Sequence, residues 1–350
     1  MNVTISSPAG KENSFMCTCI TYKNGDFYFG RNMDLEYSFG ECVVITPRGF
    51  PLHFRHNRYL PEHYAMIGMA AGSEAFPLYA EAVNERGLCM AGLNFPGNAY
   101  YRKAAVGKRN LATYELIPWL LGTCASTAEA AEQLRDILIT GEAFSESMPP
   151  AQLHWMLADR EGSIVVESVR EGIKIYENPF GVLTNNPPFE YHRMNLNNYL
   201  NVTAGYPESG FCPTELFPVE GVSYYPRLEP YSQGMGGIGL PGDFSSASRF
   251  VKAAFVKWNS VCARNEEENV CQCFHILDSV TMPKGAVITQ DGKYDFTTYS
   301  CCVNADTGVY YFKTYGNSQI NAVDMRKAEL DGNALTEYPL ETGQNIRSLN

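Results

Sequence analysis

The chain has 350 residues, of which 45% are hydrophobic. This is enough apolar material for a large core, and the mixture of helix-like and strand-like segments disfavours all-α and all-β folds. The net charge of −11 disfavours nucleic acid as a partner, because an acidic surface repels phosphate. No apolar run is long enough to span a bilayer, and residues 1–15 lack the apolar core of a secretory signal, so we expect no stable membrane association.

The first predicted unit is a β-hairpin. The apolar run at 16–22 is followed by an Asn24-Gly25 turn and by the strand-like residues FYFG. If these two residues form the turn, Cys17 faces Asn32 on the return strand. Further strands are predicted at ECVVITP, PLHFRH, YAMIGMA and LCMAGLNF.

Two helices are predicted next. Residues 111–122 (LATYELIPWLLG) form an apolar segment in which Pro118 predicts a kink near the middle. Residues 126–139 (STAEAAEQLRDILI) begin with Ser126, and Glu129 three residues later completes a capping box.

The remaining elements repeat the order of strands, helices and strands. Strands are predicted at QLHWMLAD, SIVVESV, IKIYEN and GVLTN, helices at SASRFVKAAFVKWNSVCA and EENVCQCFHILDSV, and final strands at FTTYSCCV, VYYFKTY and INAVDM. Hairpin-linked strands in groups, with no regular strand–helix alternation, indicate antiparallel sheets stacked between helical layers. No linker or repeat divides the chain, so we expect an α+β fold in one domain covering residues 17–350.

The eleven cysteines show neither C-x-x-C nor zinc spacing. Several lie in apolar segments, so most are expected to be buried free thiols in a reducing cytoplasm. H-E-x-x-H, Gly-rich phosphate loops and carboxylate clusters are absent from the sequence. We therefore expect no metal and no cofactor.

Cys17 suggests a chemistry of its own. If residues 1–16 were removed, one residue would carry both a thiol and an α-amine, whose reference pKa of about 7.7–8.0 allows it to act as a base near neutral pH. Arg31 and Asp34 on the return strand lie within reach, where the cation would favour the thiolate and the carboxylate could orient the α-ammonium. Residue type alone favours the alternative, in which Cys17 is a small core residue and Arg31 and Asp34 are a solvated pair.

Six separated blocks resemble the choloylglycine hydrolases, a family that comprises bile salt hydrolases and penicillin V acylases. The blocks are MCTC with FGRNMDLEYSFG, NERGLCMAGLNFPG, LHWMLAD, GVLTNNPPFEYH, GLPGDFSSASRF and SCCVNADTGVYYFKTYGNSQINAVDM. They occur in order and span residues 16–340. The resemblance implies a four-layer αββα sandwich of two stacked antiparallel sheets, in which an N-terminal cysteine hydrolyses an amide.

The same resemblance assigns candidate catalytic residues. Cys17 matches the nucleophile, and Arg31 and Asp34 match residues close to it. Asn94 and Asn185 match two active-site amides that could stabilise an oxyanion. Arg249 matches an arginine near the nucleophile, where a cation would lower the pKa of the thiol or of the amine. Without the family match, both asparagines could be turn residues, and Arg249 could be a helix-start arginine paired with Asp243.

A pocket for a conjugated bile salt needs apolar walls. Met33, Phe39, Phe76 and Phe144 are expected to lie in suitable loops, although each could equally well be a core residue. Asn94 favours the bile salt branch, because penicillin V acylases typically carry tyrosine there. The alternatives are a penicillin V or other N-acyl amide acylase, a non-catalytic amphiphile-binding protein, and a papain-like pair using one of the histidines His154, His192 and His275.

Residues 1–16 are a departure from the resemblance, because bile salt hydrolases usually begin at Met-Cys. We expect either a propeptide that is cut off or a true start of translation at Met16. If the segment stayed attached, Cys17 would carry an amide and lose its base. The resemblance also implies a homotetramer.

Overall fold

The computed structural model describes residues 16–56, 59–71, 76–211 and 228–350. Its strands, in chain order, are β1 Met16–Asn24, β2 Asp26–Leu35, β3 Glu41–Thr46, β4 Met66–Ala71, β5 Leu78–Asn84, β6 Cys89–Asn94, β7 Arg109–Ala112, β8 Ile137–Thr140, β9 Leu153–Asp159, β10 Gly162–Val169, β11 Gly172–Glu177, β12 Val182–Leu183, β13 Val287–Ile288, β14 Tyr294–Asn304, β15 Val309–Thr314, β16 Asn317–Asp324 and β17 Thr336–Pro339. Its α-helices are α1 Leu116–Thr123, α2 Thr127–Leu134, α3 Phe189–Asn195, α4 Ser246–Trp258 and α5 Glu266–Asp278.

Two large antiparallel sheets form the centre of the fold. One has the strand order β12-β1-β2-β14-β15-β16, with β13 pairing β14 outside this path, and the other has the order β11-β10-β9-β6-β5-β4-β3-β17. Helices α4 and α5 pack on the first sheet, whereas α1 and α2 pack on the second. The predicted four-layer αββα sandwich is confirmed.

Two hydrophobic clusters fill the layers. The first joins side chains of both sheets with those of α4 and α5, for example Met69, Phe250 and Phe274. The second lies between the eight-stranded sheet and the helices α1 and α2, and includes Val44 and Leu120. The nucleophile candidate belongs to the first cluster, between the sheets.

Several local predictions were wrong. Residues 51–56 form no strand and contribute only an isolated bridge between Leu52 and Leu60. Pro118 is the third residue of α1, where its missing N–H would have no acceptor within the helix, so it causes no break. The second predicted helix ends at Leu134, because residues 137–140 pair in parallel with β7 as a two-stranded sheet.

Candidate active site

The hairpin of β1 and β2 sets the orientation of Cys17. Asn24 pairs with Asp26 and leaves Gly25 alone at the tip, with a φ of +82° that suits glycine. The register is therefore one residue away from the predicted one: Cys17 pairs with Met33, and Asn32 pairs with Thr18 instead.

This register separates the two charged residues that were expected beside the nucleophile. Because side chains alternate along a strand, Cys17 and Arg31 share the face toward the eight-stranded sheet. Asp34 pairs with Met16 and lies on the opposite face, toward α4. Arg31 and Asp34 therefore lie on opposite faces of the hairpin near Cys17.

Arg31 lies fully buried beside the thiol. Its Nη2 donates to Cys17 Sγ at 2.8 Å. Its Nη1 reaches the opposite sheet, where it lies 3.1 Å from each of three acceptors: the carbonyl oxygens of Ala80 and Gly92 and the Oε2 atom of Glu81. The guanidinium is thus held by the second sheet and directed at the sulfur.

Glu81 is the buried counter-ion of Arg31 and was not predicted. Besides Arg31, its carboxylate accepts hydrogen bonds from Tyr299 Oη at 2.9 Å and Tyr310 Oη at 2.6 Å. A lone acidic residue inside the apolar stretch LYAEAV was the available signal. Its partners lie too far along the chain for sequence spacing to reveal them.

Asn185 and Asn94 meet at the nucleophile. Asn185 Oδ1 accepts from the Cys17 backbone nitrogen at 2.8 Å, while Asn185 Nδ2 donates to the Asn94 carbonyl at 2.9 Å. Burial raises the pKa of the Cys17 thiol, and a hydrogen bond from the Asn94 backbone is among the smaller effects that oppose this rise. The structure therefore brings both asparagines to Cys17, with the Asn185 side chain accepting from the nitrogen that would become the α-amine.

Arg249, in the first turn of α4, joins this group from the helix side. Its Nη1 donates to the Cys17 carbonyl at 2.5 Å and to Thr18 Oγ1 at 2.6 Å, and its Nη2 donates to Asn185 Oδ1 at 2.8 Å. Asp243 is instead bound by Ser245 and Ser248. The alternative of an Asp243–Arg249 pair is thus not what the structure forms.

Two buried histidines hold the segment that carries Asn185. His154 Nε2 lies 3.0 Å from the Thr184 carbonyl, and His192 Nε2 lies 2.8 Å from the Asn185 carbonyl. Neither histidine makes a hydrogen bond to Cys17 Sγ among the described residues, and His275 is exposed on α5. This arrangement gives no support to a papain-like pair.

Asp34 is fully buried and accepts from Thr297 Oγ1 at 2.5 Å. Its Oδ2 lies 4.0 Å from Arg249 Nη1. Burial raises the pKa of this carboxyl to about 6, although Arg249, Thr297 and Arg31 all act to lower it. Asp34 therefore changes charge close to neutral pH.

Burial also dominates the ionisation of Cys17. Its side chain is 2% exposed, and removal from water raises the pKa of the thiol. Arg31 and Arg249 oppose this effect, while Asp34 adds to it. The site can form a thiolate when a base beside it takes the proton, because two cations are already in place.

The four predicted substrate-wall residues are distributed over both clusters. Met33 was expected in a loop but lies in strand β2, where its Sδ is 3.8 Å from Cys17 Sγ. Phe39 packs at the edge of the first cluster. Phe76 and Phe144 pack with Tyr114 in the second cluster, on the other side of the eight-stranded sheet. No contact within the described ranges joins these two rings to Cys17, so their role in binding substrate stays a prediction.

Among the described residues, no group of three His, Cys, Asp or Glu side chains could hold a metal ion. No helix in the same part of the chain has the length and apolar character required to cross a membrane.

Comparison with known proteins identifies the family. Residues 17–338 match the model of the linear amide C–N hydrolases, choloylglycine hydrolase family. The chain is 49% identical over 335 residues to the bile salt hydrolase/transferase of Lactiplantibacillus plantarum, covering 96% of this chain and all of that one. It is 38% identical over 340 residues to the bile salt hydrolase/transferase of Clostridium perfringens, again with 96% and 100% coverage.

Solved structures agree with this match. A variant of the conjugated bile acid hydrolase from Clostridium perfringens superposes with a TM-score of 0.84 at 35% identity, covering 95% of this chain and all of that one. Penicillin V acylase from Agrobacterium tumefaciens shares the fold, with a TM-score of 0.72 at 19% identity over 93% and 92% of the two chains. The chain belongs to the choloylglycine hydrolase family of linear amide C–N hydrolases.

Proposed function

We propose that this protein hydrolyses the amide bond of glycine- or taurine-conjugated bile salts, with Cys17 as its nucleophile. The observation that carries the proposal is the Arg31 guanidinium placed 2.8 Å from Cys17 Sγ in a chain of this family. Relatives named bile salt hydrolase/transferase or conjugated bile acid hydrolase support the choice of substrate.

We propose further that the active form begins at Cys17. With Met16 attached, the Cys17 nitrogen is an amide that donates to Asn185 and cannot accept a proton. Removal of residues 1–16, or translation from Met16 followed by loss of that methionine, gives the same N-terminus. The family match, which begins at residue 17, supports this boundary.

The geometry supports a two-step reaction. The α-amine takes the thiol proton, and the thiolate beside Arg31 attacks the amide carbonyl carbon. Asn94 and Asn185 stabilise the oxyanion that develops there. The amine then gives its proton to the leaving nitrogen of glycine or taurine, and the bile acid stays bound to Cys17 as a thioester. The same amine activates a water molecule, which hydrolyses the thioester and releases the free bile acid.

The substrate pocket is proposed to include Met33 and Phe39. Met33 Sδ lies 3.8 Å from the sulfur, so a group bound at Cys17 would meet the thioether. Phe39 is a partly buried ring at the edge of the same cluster. These apolar side chains suit the steroid part of such a substrate.

The decisive experiment is an amino-acid release assay with protein that mass spectrometry shows to begin at Cys17. Glycocholate, taurocholate and penicillin V are compared, with the Cys17→Ala variant as the blank. We expect rapid release of glycine or taurine and little cleavage of penicillin V. Preferential cleavage of penicillin V would overturn the substrate and leave the mechanism, whereas no turnover of any of the three would reject the proposed function.

Acyl transfer is a second candidate, because the two relatives named above are described as hydrolase/transferase. In this reaction an amine, instead of water, attacks the Cys17 thioester. Incubation of glycocholate with an excess of a second amino acid should yield the new conjugate, detected by mass spectrometry. Hydrolysis without any new conjugate would reject transfer.

We also propose a cytoplasmic homotetramer. The ten described cysteines are all free thiols, which supports a reducing compartment. Large apolar side chains are exposed on α3, as at Met194, and between α3 and α4, as at Leu200 and Tyr231. Such a surface suits contact with another subunit. Sedimentation analysis tests the assembly, and a monomer at micromolar concentration would reject it.

A further inference from the structure

A second buried carboxylate lies next to Asp34. Strand β14 pairs with β2 so that Thr297 is opposite Asp34, and Asp295 lies two residues before Thr297. Because residues two apart share a face of a strand, Asp295 and Thr297 both lie on the side of Asp34. Asp34 and Asp295 are 0% and 2% exposed.

Both carboxylates have an oxygen without a hydrogen-bond partner among the described residues. These atoms are Asp34 Oδ2 and Asp295 Oδ1. Leaving a buried charged acceptor without a donor is costly, and most such groups in folded proteins have one. In the chain with Met16 attached, these two carboxylate oxygens can therefore each accept one further hydrogen bond.

Among the described residues, Arg249 is the cation on the same side of β2 as this pair, while Arg31 acts on Asp34 more weakly from the opposite face. Asp295 interacts with Asp34 from β2, with Arg249 from α4 and with Glu36, the residue after β2. Glu36 is itself bound by Lys293 at 2.6 Å. Arg31 lies on the other face of β2 and is bound by Glu81. Arg249 can balance only one of the two carboxylates.

Ionisation of the pair is therefore stepwise. Burial raises the pKa of Asp34 to about 6. Burial, followed by the charge of Asp34, raises the pKa of Asp295 to about 7, against the opposing effect of Arg249. Such a pair titrates with two macroscopic pKa values, and its second proton is released only near the higher one.

We propose that Asp34 and Asp295 together hold one proton while Met16 is attached and release it to the Cys17 α-amine once that amine exists, which makes Asp295 a positioning residue for the ammonium. This inference rests on the proposed N-terminal nucleophile. Met16 pairs with Asp34, so cleavage creates the amine at the strand end beside the pair. The proton moves from the carboxyl to the amine and leaves a carboxylate beside an ammonium. Loss of this proton to solvent then gives the neutral amine that takes the thiol proton.

The proton on the pair can be observed directly in chain that retains Met16. The Cys17→Ala variant is used, so that no cleavage by the thiol occurs. Its infrared carbonyl band for protonated carboxyl groups is titrated with and without Asp295→Asn. We expect the difference spectrum to show one carboxyl that loses its proton near pH 7. A difference spectrum without a titrating carboxyl between pH 6 and 8 would overturn the proposal.

The mature enzyme provides a second measurement. The amine must be neutral to take the thiol proton, and a nearby carboxylate stabilises its protonated form, so Asp295→Asn should shift the acidic limb of the kcat/KM profile to lower pH by about one unit. KM should change less than twofold, Asp295→Glu should restore the profile, and the exposed Glu177→Gln should leave it unchanged. An unshifted limb in folded Asp295→Asn would overturn the role.

The two measurements separate this inference from the proposed function. If the infrared titration shows the shared proton but bile salts are not cleaved, the proton pair is supported and the substrate proposal fails. If bile salts are cleaved and Asp295→Asn changes neither measurement, only the role of Asp295 is rejected.

Discussion

His192 should make the protein sensitive to acid in a window that can be calculated. The ring is buried on α3, stacks on Phe250 with centroids 4.8 Å apart, and donates from Nε2 to the Asn185 carbonyl. Burial lowers the pKa of His192 to about 4 from its ordinary 6.5. Because the folded state binds fewer protons than the unfolded state in this range, stability is lost as the pH falls from 6.5 toward 4.

The magnitude follows from the separation of the two pKa values. Each pH unit between them contributes about 1.4 kcal/mol, so His192 alone should remove about 3 kcal/mol of unfolding free energy on acidification from pH 7 to pH 4. His192→Gln removes the titration and keeps a donor for the Asn185 carbonyl. The difference in unfolding free energy between pH 7 and pH 4 should therefore shrink by about 3 kcal/mol in this variant.

Urea denaturation at several pH values measures this difference in the Cys17→Ala background. Asp34 and Asp295 titrate in the same range with the opposite sign, but they are common to both proteins and cancel in the comparison. The exposed His275→Gln serves as the control and should leave the pH dependence unchanged. Parallel curves for the parent and for His192→Gln would refute the reasoning.

Three further substitutions test the site. Cys17→Ala should abolish amino-acid release and leave the melting temperature nearly unchanged; turnover in this variant would remove Cys17 as the nucleophile. Asp34→Asn should lower kcat/KM at least about tenfold with little effect on folding, and a wild-type rate would exclude Asp34 from the site. Glu81→Gln leaves Arg31 as an uncompensated buried charge and should reduce the free energy of unfolding by about 3–5 kcal/mol in urea titrations. A loss below about 1 kcal/mol would show that Glu81 is not the counter-ion.

Local patterns predicted those features that depend on neighbouring residues. Ser126 caps the N-terminus of α2 as expected, with its hydroxyl accepting from the Glu129 backbone nitrogen, but the Glu129 side chain accepts from the Ala125 nitrogen and not from the Ser126 nitrogen that a capping box would use. The hairpin was correct as an element but one residue out in register, because Gly25 alone forms the tip. Such a slip reverses the faces of every side chain, which explains why Asp34 lies across the strand from Cys17.

Features that depend on distant residues could not be predicted from single segments. The stretch at 137–140 continues a helical pattern in sequence, but parallel pairing with β7 makes it a strand. Glu81 and Asp295 are ordinary acidic residues within strands. Their importance arises from partners brought together by sheet stacking and by the β2–β14 register, which no local spacing records.

The path of Arg31 between the sheets has a practical consequence. One guanidinium contacts the sulfur of Cys17 from one sheet and backbone carbonyls of the other, so a change in sheet separation alters the environment of the thiol. The rate at which an alkylating reagent modifies Cys17 should therefore change when the separation of the two sheets changes. Substitutions far from the site, deep in the layer between the sheets, can be ranked by this single chemical rate.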